Sequence, residues 1–398
     1  MTKMIAATPL RFLKGLPYIP SHIKVLFDDL AAISYHNGNN SLQHLQAAMI
    51  WLKCAQDINQ DGGIAAGYSL RREWLPSYPE TTGYIIPTFV DYYHFVNKEE
   101  YLERAVRMAD WLLSIQLQNG AFQGGPINDS PKPIVFNTGQ VLQGLIRIYK
   151  ETGWKKYLEA ALKAANWLVR VQDKDGIWKR FTYREIPHVY HTRVAWPLLE
   201  LYGLIANAAY CRTVAKNIEW ALSNQQENGW FENNAFDRKS DPILHTIAYA
   251  IEGLLECAIL MQNKAWLEAA MKPAEVLLTR LEAKGTLSGA YNNKWKGTAG
   301  YRSLTGEAQM SVVWLKLFQN TKDGRYLNVA SKINDSLEKL QNTYSNNPGI
   351  DGGIKGSHPI WGGYAFLMYP NWAAKFFADA LLLEKKIKRQ QNGISNEV

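Results

Sequence analysis

Apolar residues in this chain recur at three- and four-residue steps over long stretches, the spacing that turns one face of a helix toward a core. The segments YLERAVRMADWL from Tyr101, YLEAALKAANWL from Tyr157 and YLNVASKINDSL from Tyr326 show it plainly, with charged residues on the opposite face. Each predicts an amphipathic helix. A second set alternates with them: TGQVLQGLIRIYKETG, TRVAWPLLELYGL, HTIAYAIEGLLECAIL and TGEAQMSVVWLKLFQN. These are richer in apolar and small residues and predict helices buried on more sides. Short turns such as KETGWK and NTKDGR join a buried helix to an amphipathic one, as in an αα-hairpin.

The amphipathic helices end on a recurring phrase. It reads WLKCAQDINQDGGI from Trp51, WLLSIQLQNGAF from Trp111, WLVRVQDKDGIW from Trp167 and WALSNQQENGWF from Trp220. Two degenerate copies follow, LLTRLEAKGTLSGAY from Leu277 and SLEKLQNTYSNNPGIDGGI, aligned at Leu337. The starts 51, 111, 167, 220, 277 and 337 are separated by 60, 56, 53, 57 and 60 residues, a regularity that marks repeated supersecondary units. Open α-solenoids repeat at roughly 34–47 residues and need no long loops between hairpins. The longer period therefore predicts an all-α fold, an (α/α)6 toroid with six inner and six outer helices. Within the phrase, Trp and Leu pack the outer helix, Gln can bond an exposed helix end, and Gly allows a positive φ at the cap. The phrase resembles the Q-W repeat of terpene cyclase and prenyltransferase toroids, which implies a structural role for it.

Composition narrows the class. Of 398 residues, 47% are hydrophobic and 20% charged, and no Pro/Ser/Gly-rich linker divides them, so one toroid domain over 1–398 is expected. Residues 1–40 read as an N-terminal extension and 384–398 as a basic tail. The net charge of +8 is scattered, with EKKIKRQ as its one cluster, which reads as a solvated helix end and argues against a nucleic-acid partner. Cys54, Cys211 and Cys257 stand apart without a C-x-x-C pair, which suits a reducing compartment. The N-terminus lacks the unbroken apolar core of a signal peptide, and no stretch approaches the ~20 apolar residues of a membrane span. A cytoplasmic location is expected, with no cofactor or metal.

The long loops and the N-termini of the buried helices fall at one end of every hairpin, the expected mouth. In register these starts carry Glu80, Asn137, His191, His245, Thr305 and Asn371. His191 and His245 are one repeat apart and are expected at similar height on adjacent inner helices. Imidazoles are the commonest acid–base groups near neutral pH, so the pair is the first catalytic candidate, with Tyr183 and Glu80 beside it. No third ligand at metal-like spacing joins the two histidines, which argues against zinc. The loops WKRFTYREIPHVYHTR (178–193) and GYSLRREWLPSYPETTGY (67–84) are dense in aromatic and charged residues, among them Arg71, Arg72, Trp74, Tyr78 and Arg193. Aromatic platforms beside hydrogen-bonding groups suit sugar rings. Gln140, Asp241, Trp230, Trp295, Trp361 and Asn371 extend the expected binding surface.

The hairpin pattern, with YPETTGYIIPTF, TGEAQMSVVWLKLF and DGGIKGSHPIWGGYAFLMYPNWAAKFFADALL, resembles bacterial polysaccharide-biosynthesis proteins of the VpsJ type, from about Trp51 to Leu383. More distantly the chain is similar to glucuronyl C5-epimerases, toroidal polysaccharide lyases and six-hairpin glycosidases. The resemblance implies a carbohydrate partner, neutral or anionic, in an exopolysaccharide or capsule setting. Proton abstraction next to a uronic carboxylate is the first reading: Arg193, Arg71 or Asn137 would hold the carboxylate, and His191, His245 or Tyr183 would take the proton. The alternative is hydrolysis by two carboxylates, Glu80 with Asp241, Glu232 or Asp351. A glycan-binding toroid without turnover is a third reading. A terpene cyclase is a fourth, weakened because no D-x-D-D cluster is present.

Overall fold

Residues 19–35, 38 and 40–391 are described by a computed structural model, and among them the apolar stripes form thirteen α-helices. They are α1 (Pro20–Leu30), α2 (Ser41–Asp57), α3 (Pro79–Val96), α4 (Glu100–Ile115), α5 (Val135–Thr152), α6 (Lys155–Val171), α7 (Thr192–Ile205), α8 (Ala208–Ser223), α9 (Leu244–Met261), α10 (Lys264–Lys284), α11 (Leu304–Thr321), α12 (Gly324–Glu338) and α13 (Asn371–Gln391). The inner ring runs α3, α5, α7, α9, α11, α13 and closes where α13 meets α3. The outer helices α4, α6, α8, α10 and α12 each pack on the inner helix that precedes them. The sixth outer helix is α2, which packs on α13, so the two ends of the chain build the last hairpin together. This is the expected (α/α)6 toroid.

Inner helices need close backbones, and small residues supply them. A Cβ on Gly144 of α5 would lie 2.2 Å from the Gly83 carbonyl oxygen of α3, a distance no side chain tolerates. The most apolar helix, α9, is long and apolar enough to cross a membrane at a mean hydropathy of 1.4, yet it is buried as an inner helix.

The recurring phrase proves to be the joint between neighbouring outer helices. Gln56, Gln116, Gln172 and Gln225 each donate from Nε2 to a carbonyl of the next outer helix, those of Arg104 (3.0 Å), Ala160 (2.9 Å), Thr213 (3.0 Å) and Ala269 (2.7 Å). Gln341 joins α12 to α2 by donating to the His44 carbonyl (3.2 Å), and it also donates to the Gly352 carbonyl (2.7 Å); the degenerate copy from Leu277 carries no such glutamine. The turn glycines press against the same neighbour: Gly176 has φ +82°, and a Cβ there would stand 2.4 Å from the Lys216 carbonyl oxygen. Replacing Gln341 with alanine is expected to cost about 2 kcal/mol, because buried acceptors lose their donor. Denaturant unfolding reads this directly, and an unchanged midpoint would show that ring closure does not depend on the rung.

Mouth loops carry the only strands among the described residues. β1 (Gly67–Ser69) pairs antiparallel with β2 (Glu73–Trp74) and β5 (Met368–Pro370), and β3 (Arg302–Ser303) pairs with β4 (Ser357–His358). Within the N-terminal extension expected at 1–40, Asp29 of α1 is buried against Lys355, and within the tail expected at 384–398, Glu384 and Ile387 of α13 are buried. Residues 1–18 of the extension lie outside the described residues. Residues 392–398 of the basic tail lie outside the described residues.

Candidate active site

Pro79 starts α3 at its first turn and carries Glu80 into the ring just beneath Tyr78, whose hydroxyl donates to Glu80 Oε2 at 2.6 Å. Burial pushes the Glu80 carboxyl up to about 7, against the opposing pull of the Tyr78 hydrogen bond and the Arg193 guanidinium. Tyr78, Tyr84, Tyr190, Tyr249 and Tyr364 all feel the Glu80 charge, and burial holds their hydroxyls protonated. Tyr78, Tyr364 and Trp372 are half-buried and form the rim; Trp372 Nε1 donates to the Tyr364 hydroxyl at 2.7 Å.

His245, in the first turn of α9, joins this group from another wall. Its ring centroid is 4.2 Å from that of Tyr249 and 5.3 Å from that of Tyr364. Nδ1 lies 2.5 Å from Gln309 Oε1; an amide oxygen accepts, so the proton sits on Nδ1 and Nε2 is left basic. Burial pushes the imidazole down to about 3, the nearby Arg193 adding to it and the Gln309 bond opposing, so the ring is neutral at physiological pH. Below Glu80 and His245 the ring is crossed by ion pairs: Arg193 with Glu252, Lys316 with Glu256, and Lys375 with Asp379. Thr88 adds a hydrogen bond to Asp379 at 2.7 Å.

Several expected site residues are placed otherwise. His191 is fully buried in the wall among Phe136, Trp178, His188 and Tyr190, and neither ring nitrogen has a hydrogen-bond partner. Burial holds it well below the usual imidazole range. It does not form the expected pair with His245, because it closes a 3-10 turn ahead of α7 while His245 lies inside its helix; Phe136 and Tyr249 stand in the chain of contacts between them. Arg193 is not free for a substrate carboxylate, since Glu252 pairs it and Gln140 Oε1 accepts from its Nε at 3.2 Å. Gln140 is thus a brace for Arg193. Asn371 spends its Nδ2 on the Ala65 carbonyl (2.8 Å) and Thr81 Oγ1 (2.7 Å). Trp230 and Trp295 are buried edge to face at 5.2 Å instead of forming an open platform.

Other candidates lie at or beyond the rim. Asn137 is buried beside Tyr78. Tyr183 is 49% exposed and edge-on to Phe236. Arg71 is exposed with its guanidinium 5.1 Å from the Phe366 ring centre; Arg72 is exposed and Trp361 half-buried. His188 is buried with its ring nitrogens 3.1 and 2.9 Å from the Ala235 and Tyr183 carbonyls, a brace for the loop. Glu232 and Asp241 face a separate cleft, and Asp351 acts on Cys54 of the outer layer, so none joins Glu80 as a second carboxylate. Among the described residues no three His, Cys, Asp or Glu side chains converge as a metal site.

Tyr84, Tyr249, Gln309 and Lys375 were not singled out by the sequence. Each stands four residues beyond a register position, after Glu80, His245, Thr305 and Asn371, and so lies on the same helix face one turn deeper. Adding one turn to the register would have found them.

The chain is therefore an (α/α)6 toroid whose mouth holds a buried carboxyl and a neutral imidazole under an aromatic rim. Known proteins match it by shape. An unsaturated glucuronyl hydrolase specific for heparin has TM-score 0.70 and 16% identity over 87% of this chain and 97% of that one. The unsaturated glucuronyl hydrolase of Bacillus sp. GL1 has TM-score 0.67 and 14% identity, covering 89% and 98%. The cellobiose 2-epimerase of Bacillus thermoamylovorans B4167 has TM-score 0.66 and 16% identity, covering 87% and 97%. Residues 98–253 match the family described as squalene-hopene cyclase C-terminal domain, less than half of the chain and the part that holds three copies of the recurring phrase. No curated protein matches in sequence. At these identities the likeness establishes the fold.

Proposed function

We propose that the chain is a sugar-processing enzyme that works by proton transfer at a sugar carbon, epimerising or eliminating. The observation that carries this is Glu80: a carboxyl held at about 7 can take and return a proton at working pH. In this reading the Glu80 carboxylate removes a proton beside a carbonyl. The protonated hydroxyls of Tyr84, Tyr249 and Tyr364 donate to the oxygen that becomes negative, and His245 Nε2 accepts a sugar hydroxyl. Return of the proton on the other face gives the epimer; loss of a neighbouring leaving group gives the unsaturated product.

A proton next to a carbonyl is found at C5 of a uronate or at C2 of an open-chain reducing sugar. Arg193, Lys316 and Lys375 are each matched by an acidic partner, which leaves none of them for a uronate carboxylate. The charge pattern thus favours an uncharged reducing sugar over the uronate expected from sequence. The exopolysaccharide setting rests on the sequence resemblance, and the sugar class is consistent with neighbours named as glucuronyl hydrolase and cellobiose epimerase.

Incubation with neutral and with uronate-containing oligosaccharides in D2O tests the reaction. Carbon-bound deuterium in recovered sugar is expected. Cleavage without it would replace this reading with hydrolysis. His245→Ala is expected to abolish turnover in a protein that still folds, and unaltered activity in that folded variant would remove His245 from the mechanism.

A further inference from the structure

Between the loop at 186–187, the loop at 230–242 and Asn292–Asn293 lies a cleft of about 640 Å³ that the reaction at Glu80 does not use. Buried Trp230 and Phe231 and the ring of Pro242 supply its apolar part, and most of the remaining lining is polar. Its polar lining includes three carboxylates, Glu232, Asp237 and Asp241, one cation, Arg238, and the side chain of Asn234. Asn234 is 3% exposed; its Nδ2 donates to the Thr246 carbonyl at 3.2 Å, and its Oδ1 is buried with no partner. Buried polar groups are normally paired, and a donor from a ligand in the cleft would supply the partner that Asn234 Oδ1 lacks.

The cleft and Glu80 share the mouth. Phe236, on the same loop as Asp237, packs on Tyr183 (5.6 Å between centroids) and on Tyr190 (6.1 Å), and Tyr190 is one of the hydroxyls that feel Glu80. We propose that this cleft is a distal subsite that holds uncharged sugar units of an oligosaccharide whose reacting end lies at Glu80. The proposal rests on the sugar-processing reading above.

Sugar hydroxyls are donors that match carboxylate and amide oxygens, and the edges of Trp230, Phe231 and Pro242 that reach the cleft suit the apolar face of a pyranose. The same carboxylates select against acidic sugars. Arg184 is already paired with Asp237 at 3.1 Å, so Glu232 and Asp241 outnumber the remaining cation of the cleft lining, Arg238. A uronate unit there would meet net negative charge.

The test is calorimetric binding of cello- and malto-oligosaccharides, and of oligogalacturonates, to the Glu80→Gln protein. Affinity for one neutral series is expected to rise about tenfold between the disaccharide and the tetrasaccharide, the worth of one or two added hydrogen bonds. Asn234→Ala combined with Asp241→Asn should erase that gain and leave disaccharide affinity unchanged. No gain with length in either neutral series, a gain that survives the double change, or an equal gain for oligogalacturonates would each overturn the proposal. Binding is measured without the proton-transfer group, so the two readings fail separately. A length gain without deuterium exchange would remove the reaction and keep the subsite; exchange without a length gain would do the reverse.

Discussion

Glu80→Gln is expected to lower kcat by about three orders of magnitude, within the range a positioned acid–base group contributes, while making the folded protein more stable at alkaline pH. Burial raises this carboxyl from 4.5 to about 7 in the folded chain, so the native state binds the proton more tightly than the unfolded state. Stability from this group is therefore present in acid and is lost as pH rises from the unfolded value through the folded one. Full ionisation costs up to about 3 kcal/mol by that shift, and glutamine, which cannot ionise, avoids it. Parent activity should rise with pH through about 7 as the carboxylate forms. Unfolding curves at pH 5 and pH 8 check the sign. If the variant gains nothing at the higher pH, or turns over at parental rate, Glu80 is not the buried proton carrier described.

Asp29→Ala is expected to destabilise the protein by about 3–5 kcal/mol, the cost of leaving a buried partner charge uncompensated. The Asp29 and Lys355 side chains are 2% and 1% exposed and paired. Asp29 Oδ2 also accepts from the Ile360 N–H at 2.6 Å, and Oδ1 lies 3.4 Å from His358 Nδ1. All three partners are on the loop that leads to Tyr364 at the rim, so turnover should fall along with stability. Adding Lys355→Met should recover much of the loss, because both charges are then gone. A single variant with parental stability, or a double variant no better than the single, would show that the pair is not coupled. Burial alone would raise the Asp29 carboxyl, but Lys355 and His358 hold it below its usual value of 3.8. Its contribution is present above that pH and is lost as pH falls through the lower folded value.

The scaffold was legible because its signals are local. Three- and four-residue spacing needs only one helix, and the W-L…Q…G phrase needs only one helix end. Even the joint made by Gln172 could be anticipated in kind, though its partner, the Thr213 carbonyl 41 residues on, could not. Ring closure by α2 on α13 was illegible for the same reason: no local pattern says that the first outer helix belongs to the last inner one.

The site was half legible. Glu80 and His245 stand where inner-helix starts converge, and repeat register finds them. Tyr84 and Tyr249 escaped because an aromatic inside an apolar helix reads as core. His191 shares the repeat position of His245 but not its surroundings, since a 3-10 turn sends it into a wall of rings.

By itself, then, the sequence determined a repeating pair of helices, their number and the end at which polar groups gather, since periodicity and turn chemistry act within a few residues. The tertiary structure alone decided which charges cancel, which hydroxyls surround Glu80 and which buried acceptor beside the outer cleft lacks a partner. Those depend on the packing of helices far apart in the chain, where a turn of one residue on a helix exchanges a buried partner for water.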